Sequence, residues 1–227
     1  MAAPLAIDLF CGLGGWTDGL LAEGYRVVGF DIERHVYGNA RYPAQLVLQD
    51  VLTIHGAQFA SADLIVASPP CQAYSYRAMP WKRAKALPPP DNSLFEACFR
   101  IQREACEAAG RYIPLVVENV RGAQPWVGRA RWHFGSFYLW GDVPALTVYV
   151  SRRTAIGNGV RFTSRDCGVE ASGIKQGGDW FNDSQPSISR LCGSKSKARK
   201  AASAHIAKIP FVLAQHIARV YKPEGAL

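Results

Sequence analysis

Short apolar runs alternate with amphipathic stretches along the N-terminal part of the chain. Each run ends near a glycine, a proline or an acidic residue, a pattern typical of buried strands that continue into turns. Strands are predicted at residues 5–10, 25–30, 46–48, 63–67 and 113–117. Helices are predicted at residues 16–23, 33–41 and 92–109, the last with an apolar face formed by Leu94, Phe95, Cys98, Ile101 and Ala105.

Repeated strand–helix units of this length connect parallel strands through right-handed crossovers. The sequence therefore predicts an α/β fold with a doubly wound, mostly parallel sheet. Asp31, Asp50, Cys71 and Glu118 each come just after a predicted strand, and so does the glycine turn at residues 11–15. Because the carboxyl ends of parallel strands lie along one edge of a sheet, we expect these features to share a single cleft.

Cys71 follows the fourth predicted strand and two prolines, which cannot continue a strand. A position beyond the carboxyl end of a strand suits a nucleophile, although most cysteines that form no disulfide are small buried hydrophobic residues. Polar loop residues follow Cys71, whereas Cys98 and Cys106 fall on a predicted helix and Cys11 lies within the glycine turn. On position alone, both interpretations of Cys71 stay open.

Gly12, Gly14 and Gly15 let the backbone approach a ligand closely and adopt positive φ. Asp31, at the end of the next strand, can accept both hydroxyls of a ribose. Thr17 occupies the position of the third glycine in the nicotinamide fingerprint, which argues against a dehydrogenase. Adenosine without a pyrophosphate fits better, and S-adenosylmethionine meets that description. Glycines in this pattern also serve tight packing of a helix on a strand.

The periodicity weakens beyond Glu118. An aromatic strand is predicted at residues 134–140, and a segment rich in glycine, serine and arginine follows it. The basic run at residues 194–200 is interpreted as a phosphate-binding loop or, equally, as a solvated loop. A C-terminal helix is predicted at residues 203–221, with Pro210 in a first turn and an apolar stripe of Ile209, Val212, Leu213, Ile217 and Val220.

The composition favours one globular domain, since 48% of the 227 residues are apolar and 19% are charged. No apolar run reaches the roughly 18 residues of a membrane span, and no charged region precedes an apolar core at the N-terminus. We therefore expect a cytoplasmic protein. The six cysteines show neither a CxxC pair nor zinc-ligand spacing, so thiols without a structural metal are expected.

The net charge of +8 is unevenly distributed. Residues 1–120 contain 10 Lys and Arg against 12 Asp and Glu, whereas residues 121–227 contain 16 against 6. Such an asymmetry suggests that one part of the molecule meets a polyanion. A solvated basic face is the simpler alternative.

Taken together, residues 5–141 and, more weakly, residues 203–221 resemble the C5-cytosine DNA methyltransferase family. The family's motifs are matched by four segments, namely residues 8–15 (cofactor-binding glycine motif), 70–72 (nucleophile), 118–120 (Glu-Asn-Val) and 129–131 (the arginine pair for the target base). The resemblance implies a Rossmann-like S-adenosylmethionine-dependent methyltransferase, similar to the compact phage-type members. It also implies double-stranded DNA as the partner, a role of the restriction-modification type and a monomer.

The resemblance implies that S-adenosyl-L-methionine is held by Phe10, Gly12, Leu13, Gly14, Gly15, Asp31, Ile32, Asp50, Val51, Pro70 and Leu94. It implies that Cys71 attacks carbon 6 of a cytosine flipped out of DNA, that Glu118 serves nitrogen 3, and that Arg131, supported by Arg129, orients O2. From the residues alone, Glu118 is equally well a capped or ion-paired carboxylate at a strand end. Either arginine can instead hold phosphate.

The chain departs from the family pattern in two places. Residues 206–210, Ile-Ala-Lys-Ile-Pro, stand where the family has Gly-Asn, so that asparagine's contact with the cofactor is missing or replaced. The target-recognition segment, predicted at residues 142–200 between a catalytic domain at 1–141 and a C-terminal helix within 201–227, is short. These departures keep open a catalytically silent DNA-binding protein. A tRNA cytosine-5 methyltransferase also stays open, because one branch of the family methylates RNA.

Overall fold

The computed structural model describes residues 2–75, 87–144 and 197–225. Its strands are β1 (Leu5–Leu9), β2 (Arg26–Asp31), β3 (Val36–Tyr37), β4 (Ala40–Arg41), β5 (Gln45–Leu48), β6 (Leu64–Ala67), β7 (Leu115–Asn119), β8 (Trp132–Phe134) and β9 (Phe137–Gly141). Seven of them form one sheet in the order β5-β2-β1-β6-β7-β9-β8, while β3 and β4 form a separate hairpin.

The five strands from β5 to β7 in this order pair in parallel, and β9 and β8 extend the sheet in antiparallel fashion. This arrangement confirms the predicted doubly wound, mostly parallel sheet. All five predicted parallel strands form, with bounds shifted by a residue or two. Residues 64–67 of β6, at the middle of the sheet, are fully buried on both faces, as their unbroken apolar run requires.

Helices cover both faces of the sheet. In the described part of the chain they are α1 (Gly15–Ala22), α2 (Ser93–Ala109), α3 (Gln124–Val127), α4 (Lys197–Ala207) and α5 (Phe211–Tyr221). Short 3-10 helices form at Val51–Thr53, Gly56–Phe59 and Arg121–Ala123. The long helix α2 confirms the prediction at residues 92–109, and Gly110 with φ +63° ends it.

The core has two layers because successive side chains of a strand point to opposite faces. On one face, Ile65 of β6 packs with Phe95, Cys98 and Ile101 of α2. On the other face, the neighbouring β6 residues pack with the buried sides of α1 and α5, which include Trp16, Leu20, Leu213 and Ile217. The two layers fix the sheet between α2 and the α1–α5 pair.

One predicted element is wrong in type and a second is wrong in extent. Residues 33–41 form the β3–β4 hairpin instead of a helix, because Val36 and Tyr37 favour extended backbone and Gly38 turns the chain with φ +60°. The predicted aromatic strand at residues 134–140 is also divided. Gly135, with φ +57°, turns the chain between β8 and β9, which pair with each other.

The predicted helix at residues 203–221 is two helices. α4 ends at Ala207 and α5 begins after Pro210, which occupies the N-cap position and has no N–H to continue the earlier helix. The predicted stripe is partly wrong as well, since Val212 and Val220 are 49% and 48% exposed. The buried side instead consists of Ile209, Leu213, Ala214, Ile217 and Ala218.

Several predictions lie outside the described residues. They are the proline-rich loop around Pro80, most of the target-recognition segment at residues 142–200 with Cys167 and Cys192, and the first part of the basic run at residues 194–200. Within the described ranges, none of the helices has the length and apolar character needed to cross a membrane.

Candidate active site

Strand register defines a row of residues at the carboxyl edge of the sheet. Leu9 of β1 pairs with Phe30 of β2 and with Ala67 of β6, and Ala67 pairs in turn with Val117 of β7. The next residue on each of these strands therefore stands in one row, which consists of Asp31, Phe10, Ser68 and Glu118. The glycine turn follows Phe10 directly, and the Cys71 loop follows Ser68. The register therefore brings Asp31, the glycine turn, the Cys71 loop and Glu118 to one edge of the sheet, whereas Asp50 lies two residues beyond the end of β5.

The glycine turn begins where β1 ends. Phe10 and Gly12 have φ of +58° and +51°, and the turn closes with a hydrogen bond of 2.7 Å from Gly14 N to the Cys11 carbonyl. A Cβ on Gly12 would meet no atom within 4 Å, so this glycine borders open space. A Cβ on Gly15 would lie 2.3 Å from the backbone nitrogen of Ile209, so this glycine permits close packing. The packing interpretation therefore applies to Gly15, whereas Gly12 leaves room for a ligand.

Asp31 closes β2 and is tied to the glycine turn. Its Oδ2 accepts a hydrogen bond of 2.9 Å from Gly12 N, and its Oδ1 accepts one of 3.3 Å from Glu33 N. His35 Nε2 lies 3.4 Å from the same Oδ1. Burial acts to raise the pKa of Asp31, but the hydrogen bonds from His35 and from Gly12 N outweigh it, and the pKa falls below its ordinary value. Asp31 is therefore an ionised acceptor beside the turn.

The residues expected to contact adenine lie on two loops. Ile32 follows Asp31 and is 73% exposed, which leaves its side chain available to a flat apolar ligand. Asp50 is half-buried and caps the short helix Val51–Thr53 through a 3.0 Å hydrogen bond from Leu52 N to Oδ1. Val51 is buried and Leu94, in the first turn of α2, is half-buried.

The Cys71 loop leaves the sheet after β6. Ser68 N still donates to the Leu9 carbonyl at 3.1 Å, which carries the parallel pairing one step past the strand. Pro69 and Pro70 follow, and the Cys71 carbonyl accepts hydrogen bonds of 3.0 Å from the backbone nitrogens of residues 74 and 75. This tight turn holds the half-buried Cys71 just beyond the edge of the sheet.

The other described cysteines have surroundings unlike those of Cys71. Burial, reinforced by the nearby Asp8 carboxyl, raises the pKa of the Cys11 thiol, and burial alone raises that of Cys98. Cys106 lies on α2, where its sulfur accepts a hydrogen bond of 3.2 Å from Ile113 N. Cys71 differs from these three cysteines in its position, in the loop beyond the carboxyl end of β6.

Glu118 lies within β7, which runs two residues further than predicted, and is 3% exposed. The prediction that Glu118 comes just after a strand is therefore wrong. The same prediction is wrong for Asp31, which is the last residue of β2. The register still places Glu118 next to Ser68, at the base of the Cys71 loop.

Asn119 is a residue to which the sequence analysis gave no separate role. It is fully buried, and its Nδ2 donates a hydrogen bond of 3.0 Å to the Pro69 carbonyl. Its Oδ1 accepts a hydrogen bond of 2.8 Å from Val120 N. Asn119 therefore ties the Cys71 loop to the strand that carries Glu118. The available signal was a polar amide next to Glu118, at the end of an apolar run.

Arg129 and Arg131 are exposed on the segment between α3 and β8. Arg131 N donates to the Leu139 carbonyl at 2.9 Å, and Leu139 is the register partner of Glu118. The backbone of Arg131 is therefore two strand spacings, about 10 Å, from that of Glu118. A hydrogen bond of 2.9 Å from Trp140 Nε1 to the Gly128 carbonyl further fixes this segment.

A buried polar network that the sequence analysis missed lies beneath the glycine turn. Asp8 of β1 is 1% exposed and accepts a hydrogen bond of 2.6 Å from Thr17 Oγ1, which also contacts the Tyr42 hydroxyl at 2.7 Å. The other Asp8 oxygen has no hydrogen-bond partner among the described residues. Burial raises the pKa of Asp8 to about 7 despite the hydrogen bond from Thr17.

A mostly parallel sheet with helices on both faces, a glycine turn after β1 and an acidic residue ending β2 define the Rossmann-like fold of S-adenosylmethionine-dependent methyltransferases. The sequence model of the C-5 cytosine-specific DNA methylase family matches residues 5–124. The chain belongs to this family.

Three solved structures that are similar to part of the chain are described as methyltransferases. A protein described as a DNA modification methyltransferase encoded within an E. coli prophage is 24% identical, over 53% of this chain and 33% of its own, with a TM-score of 0.38. The S. pombe Dnmt2 methyltransferase is 16% identical, over 54% of this chain and 36% of its own, with a TM-score of 0.36. The Entamoeba histolytica methyltransferase EhMeth is 18% identical, over 56% of this chain and 41% of its own, with a TM-score of 0.39.

The region shared with these three structures spans between 33% and 41% of their own length. No curated protein matches the chain at a significant level. Family membership therefore rests on the family model and on the motifs within residues 5–124.

Proposed function

We propose that the chain is a DNA methyltransferase that transfers a methyl group from S-adenosylmethionine to carbon 5 of cytosine in double-stranded DNA. The observation that carries this proposal is the row at the carboxyl edge of the sheet. It brings the Cys71 loop beside Glu118 on one side and beside the glycine turn on the other. A nucleophile, an acid and a ligand-binding turn within one row suit methyl transfer to an activated base.

The residues around the turn fit the cofactor. Gly12 borders open space, the Asp31 carboxylate is ionised and suits the ribose hydroxyls, and Ile32 presents an exposed apolar side chain to adenine. Asp50 and Val51 would border the edge of the adenine. When bound, S-adenosylmethionine supplies an electrophilic methyl group from its sulfonium. We assign the remaining expected contacts with the cofactor to Phe10, Leu13, Gly14, Gly15, Pro70 and Leu94.

Cys71 supplies the nucleophile. Carbon 5 of cytosine reacts poorly because the ring is aromatic and electron-poor. When the Cys71 thiolate bonds to carbon 6, the conjugation is broken and carbon 5 becomes enamine-like, so it can accept a methyl group. Loss of the carbon 5 proton to a base and departure of the Cys71 sulfur then restore the ring. This covalent route divides one difficult step into easier ones.

Glu118 and the arginines act on the base itself. Attack at carbon 6 pushes electron density onto nitrogen 3, so a buried acid that donates a proton or a hydrogen bond there stabilises the adduct. Glu118, almost fully buried beside the Cys71 loop, is the acid that we assign to this role. Arg131 would orient the cytosine O2 from across β9, with Arg129 in support or in contact with phosphate.

Access to these groups requires a cytosine outside the duplex, at a cost of a few kcal/mol for unstacking and unpairing. The excess positive charge of residues 121–227 would hold the phosphates during that step. We assign residues 1–141 to the catalytic domain, residues 142–200 to target recognition and residues 201–227 to a C-terminal part that packs on the catalytic domain.

The test is trapping with DNA that contains 5-fluorocytosine, since fluorine at carbon 5 cannot leave as a proton does and the adduct persists. With S-adenosylmethionine present, the protein is expected to form an adduct that survives denaturing electrophoresis. Cys71→Ala should abolish it, whereas Cys106→Ala, which removes a half-buried thiol outside the row, should not. No adduct with duplex DNA, or an adduct that persists in Cys71→Ala, would contradict the proposal. A tRNA substrate in a parallel reaction tests the alternative substrate.

A further inference from the structure

A chain of side-chain contacts connects the Cys71 loop with the segment that precedes the two arginines. Tyr74, three residues after Cys71, is 2% exposed, and its hydroxyl donates a hydrogen bond of 2.9 Å to Asn92 Oδ1. Asn92 Nδ2 donates in turn a hydrogen bond of 3.2 Å to the Trp126 carbonyl in α3. One amide therefore joins three segments that are distant in the sequence.

Asn92 does not play the ordinary role of its position. It is the N-cap residue of α2, where an asparagine side chain usually accepts a hydrogen bond from a backbone nitrogen of the first turn. Here the Asn92 side chain makes no such bond. The preceding Asp91 accepts from Ser93 N at 2.8 Å instead. The Asn92 amide is thus committed to Tyr74 and Trp126.

The backbone around Tyr74 is equally confined. A Cβ on Gly122 would lie 2.2 Å from the Tyr74 carbonyl, so the short helix that follows β7 packs directly on the Cys71 loop. The side chain of Tyr74 is held at its hydroxyl and its backbone is held at its carbonyl. Cys71 lies within the same tight turn, since its carbonyl accepts from Tyr74 N at 3.0 Å.

At its other end the contact chain reaches the arginine segment. Trp126 belongs to α3, which ends at Val127. After it, the Gly128 carbonyl accepts a hydrogen bond from Trp140 Nε1, and Ala130 N donates one to Gln124 Oε1. The Asn92 amide therefore fixes the distance between the loop with the nucleophile and the segment with Arg129 and Arg131.

We propose that Asn92, through its hydrogen bonds to Tyr74 and Trp126, is a positioning residue that sets the Cys71 loop against the arginine segment for attack on the base. The inference rests on the proposed function. Neither Tyr74 nor Asn92 is placed in contact with the cofactor, so loss of the link should slow the attack on carbon 6 and leave cofactor binding unchanged.

The experiment compares Tyr74→Phe, which removes only the hydroxyl, with Asn92→Ser, which keeps a residue suited to the N-cap position but is too short to reach Tyr74. Tyr112→Phe is the matched control, because the Tyr112 hydroxyl donates to Asp142 at 2.8 Å near the amino edge of the sheet. Three quantities are measured for each protein, namely the single-turnover rate of adduct formation with 5-fluorocytosine DNA, the affinity for S-adenosylhomocysteine by calorimetry, and the unfolding temperature.

Tyr74→Phe and Asn92→Ser are each expected to slow adduct formation about tenfold, the effect of losing one hydrogen bond that holds the reacting geometry. The double variant should be no slower than the more affected single variant, because both remove the same link. The affinity for S-adenosylhomocysteine should stay within about twofold of wild type, and Tyr112→Phe should react at the wild-type rate.

Three results would overturn the positioning role while leaving the proposed function intact. They are an unchanged rate in Tyr74→Phe, an equal loss of rate in Tyr112→Phe, and a weaker S-adenosylhomocysteine affinity that accounts for the slower rate. If the wild-type protein forms no adduct at all, the proposed function fails first and the inference falls with it.

Discussion

At the scale of single residues, the Asp8 carboxyl is the group whose burial has the clearest consequence. Its pKa is raised to about 7 in the folded protein by burial, against about 3.9 in an unfolded chain. Between these values the folded state keeps a proton that the unfolded state has lost. The free energy of unfolding should therefore decrease as the pH rises from about 4 to about 7.

Asp8→Asn removes this dependence and keeps the shape of the side chain. We expect the unfolding temperature of the variant to fall less between pH 5 and pH 8 than that of the wild type. Thermal unfolding followed by circular dichroism at four pH values measures the difference. Glu224→Gln, at an exposed position, should retain the wild-type slope. Parallel curves for Asp8→Asn and wild type would show that Asp8 does not titrate in this range.

His35 and Asp31 form a second titrating pair. The hydrogen bond to Asp31 raises the pKa of His35, so the pair's stabilisation is complete below the unfolded histidine pKa and is lost as the pH rises through the higher folded value. The lowered pKa of Asp31 means that the pair is also lost in acid, as Asp31 becomes protonated. The pair is therefore intact between the lowered pKa of Asp31 and the raised pKa of His35.

His35→Gln should accordingly lower the stability of the cofactor-free protein at pH 6, by about 1–2 kcal/mol because the hydrogen-bonded pair is largely shielded from solvent, and have a smaller effect at pH 9. Urea unfolding at both pH values tests this. His55→Gln is the matched control, since His55 also faces a carboxylate, Glu104 at 3.8 Å, but is 74% exposed. A loss in His35→Gln that is equal at pH 6 and pH 9 would argue for packing instead of charge.

At the scale of elements, the apolar runs were sufficient to predict the parallel strands, because a strand buried on both faces has few alternatives. The hairpin at residues 36–41 was not predictable from periodicity, since a short polar stretch with one glycine fits a helix as well as a turn. Pro210 was correctly associated with a helix start, but its consequence for the preceding helix was missed.

The candidate site was predictable only in part. Cys71, Glu118 and Asp31 could be grouped in advance because strand ends meet at one edge. The hydrogen bonds that hold their loops, from Asn119 to Pro69 and from Tyr74 to Asn92, join residues that are distant in the sequence. Neither the register nor the periodicity specifies such side-chain pairs.

The glycine turn offers a test at the same scale, since Gly12 and Gly15 have different surroundings. Gly15→Ala brings a Cβ within 2.3 Å of Ile209 N and should lower the free energy of unfolding by about 1–3 kcal/mol. Gly12→Ala meets no neighbour but must hold φ +51°, at a cost of about 1 kcal/mol. Gly12→Ala should also weaken S-adenosylhomocysteine binding, because its Cβ would point into the open space beside the glycine turn.

Urea unfolding and calorimetry on the two glycine variants separate these effects. A Gly15→Ala protein as stable as the wild type would contradict the close packing of Ile209. Unaltered binding of S-adenosylhomocysteine by Gly12→Ala would place the ligand elsewhere.

At the scale of the whole molecule, the charge asymmetry predicts how affinity for DNA responds to salt. The logarithm of the affinity for duplex DNA should fall linearly with the logarithm of the salt concentration, because bound lysines and arginines release counterions. Arg129→Gln should reduce the slope by about one if Arg129 holds a phosphate. Arg26→Gln, at the amino end of β2, should leave the slope unchanged. Fluorescence anisotropy at several salt concentrations measures both, and equal slopes for all three proteins would remove Arg129 from the phosphate contacts.

The contact between Ile209 and Gly15 has a consequence for how the protein is made. Ile209, which packs behind the glycine turn, is added by the ribosome long after the turn itself has been synthesised. A growing polypeptide that already contains the sheet, Cys71 and Glu118 still lacks the residues that pack behind the glycine turn. We therefore expect the ability to bind S-adenosylmethionine to arise late in synthesis and abruptly, once the segment around Ile209 can pack on the glycine turn.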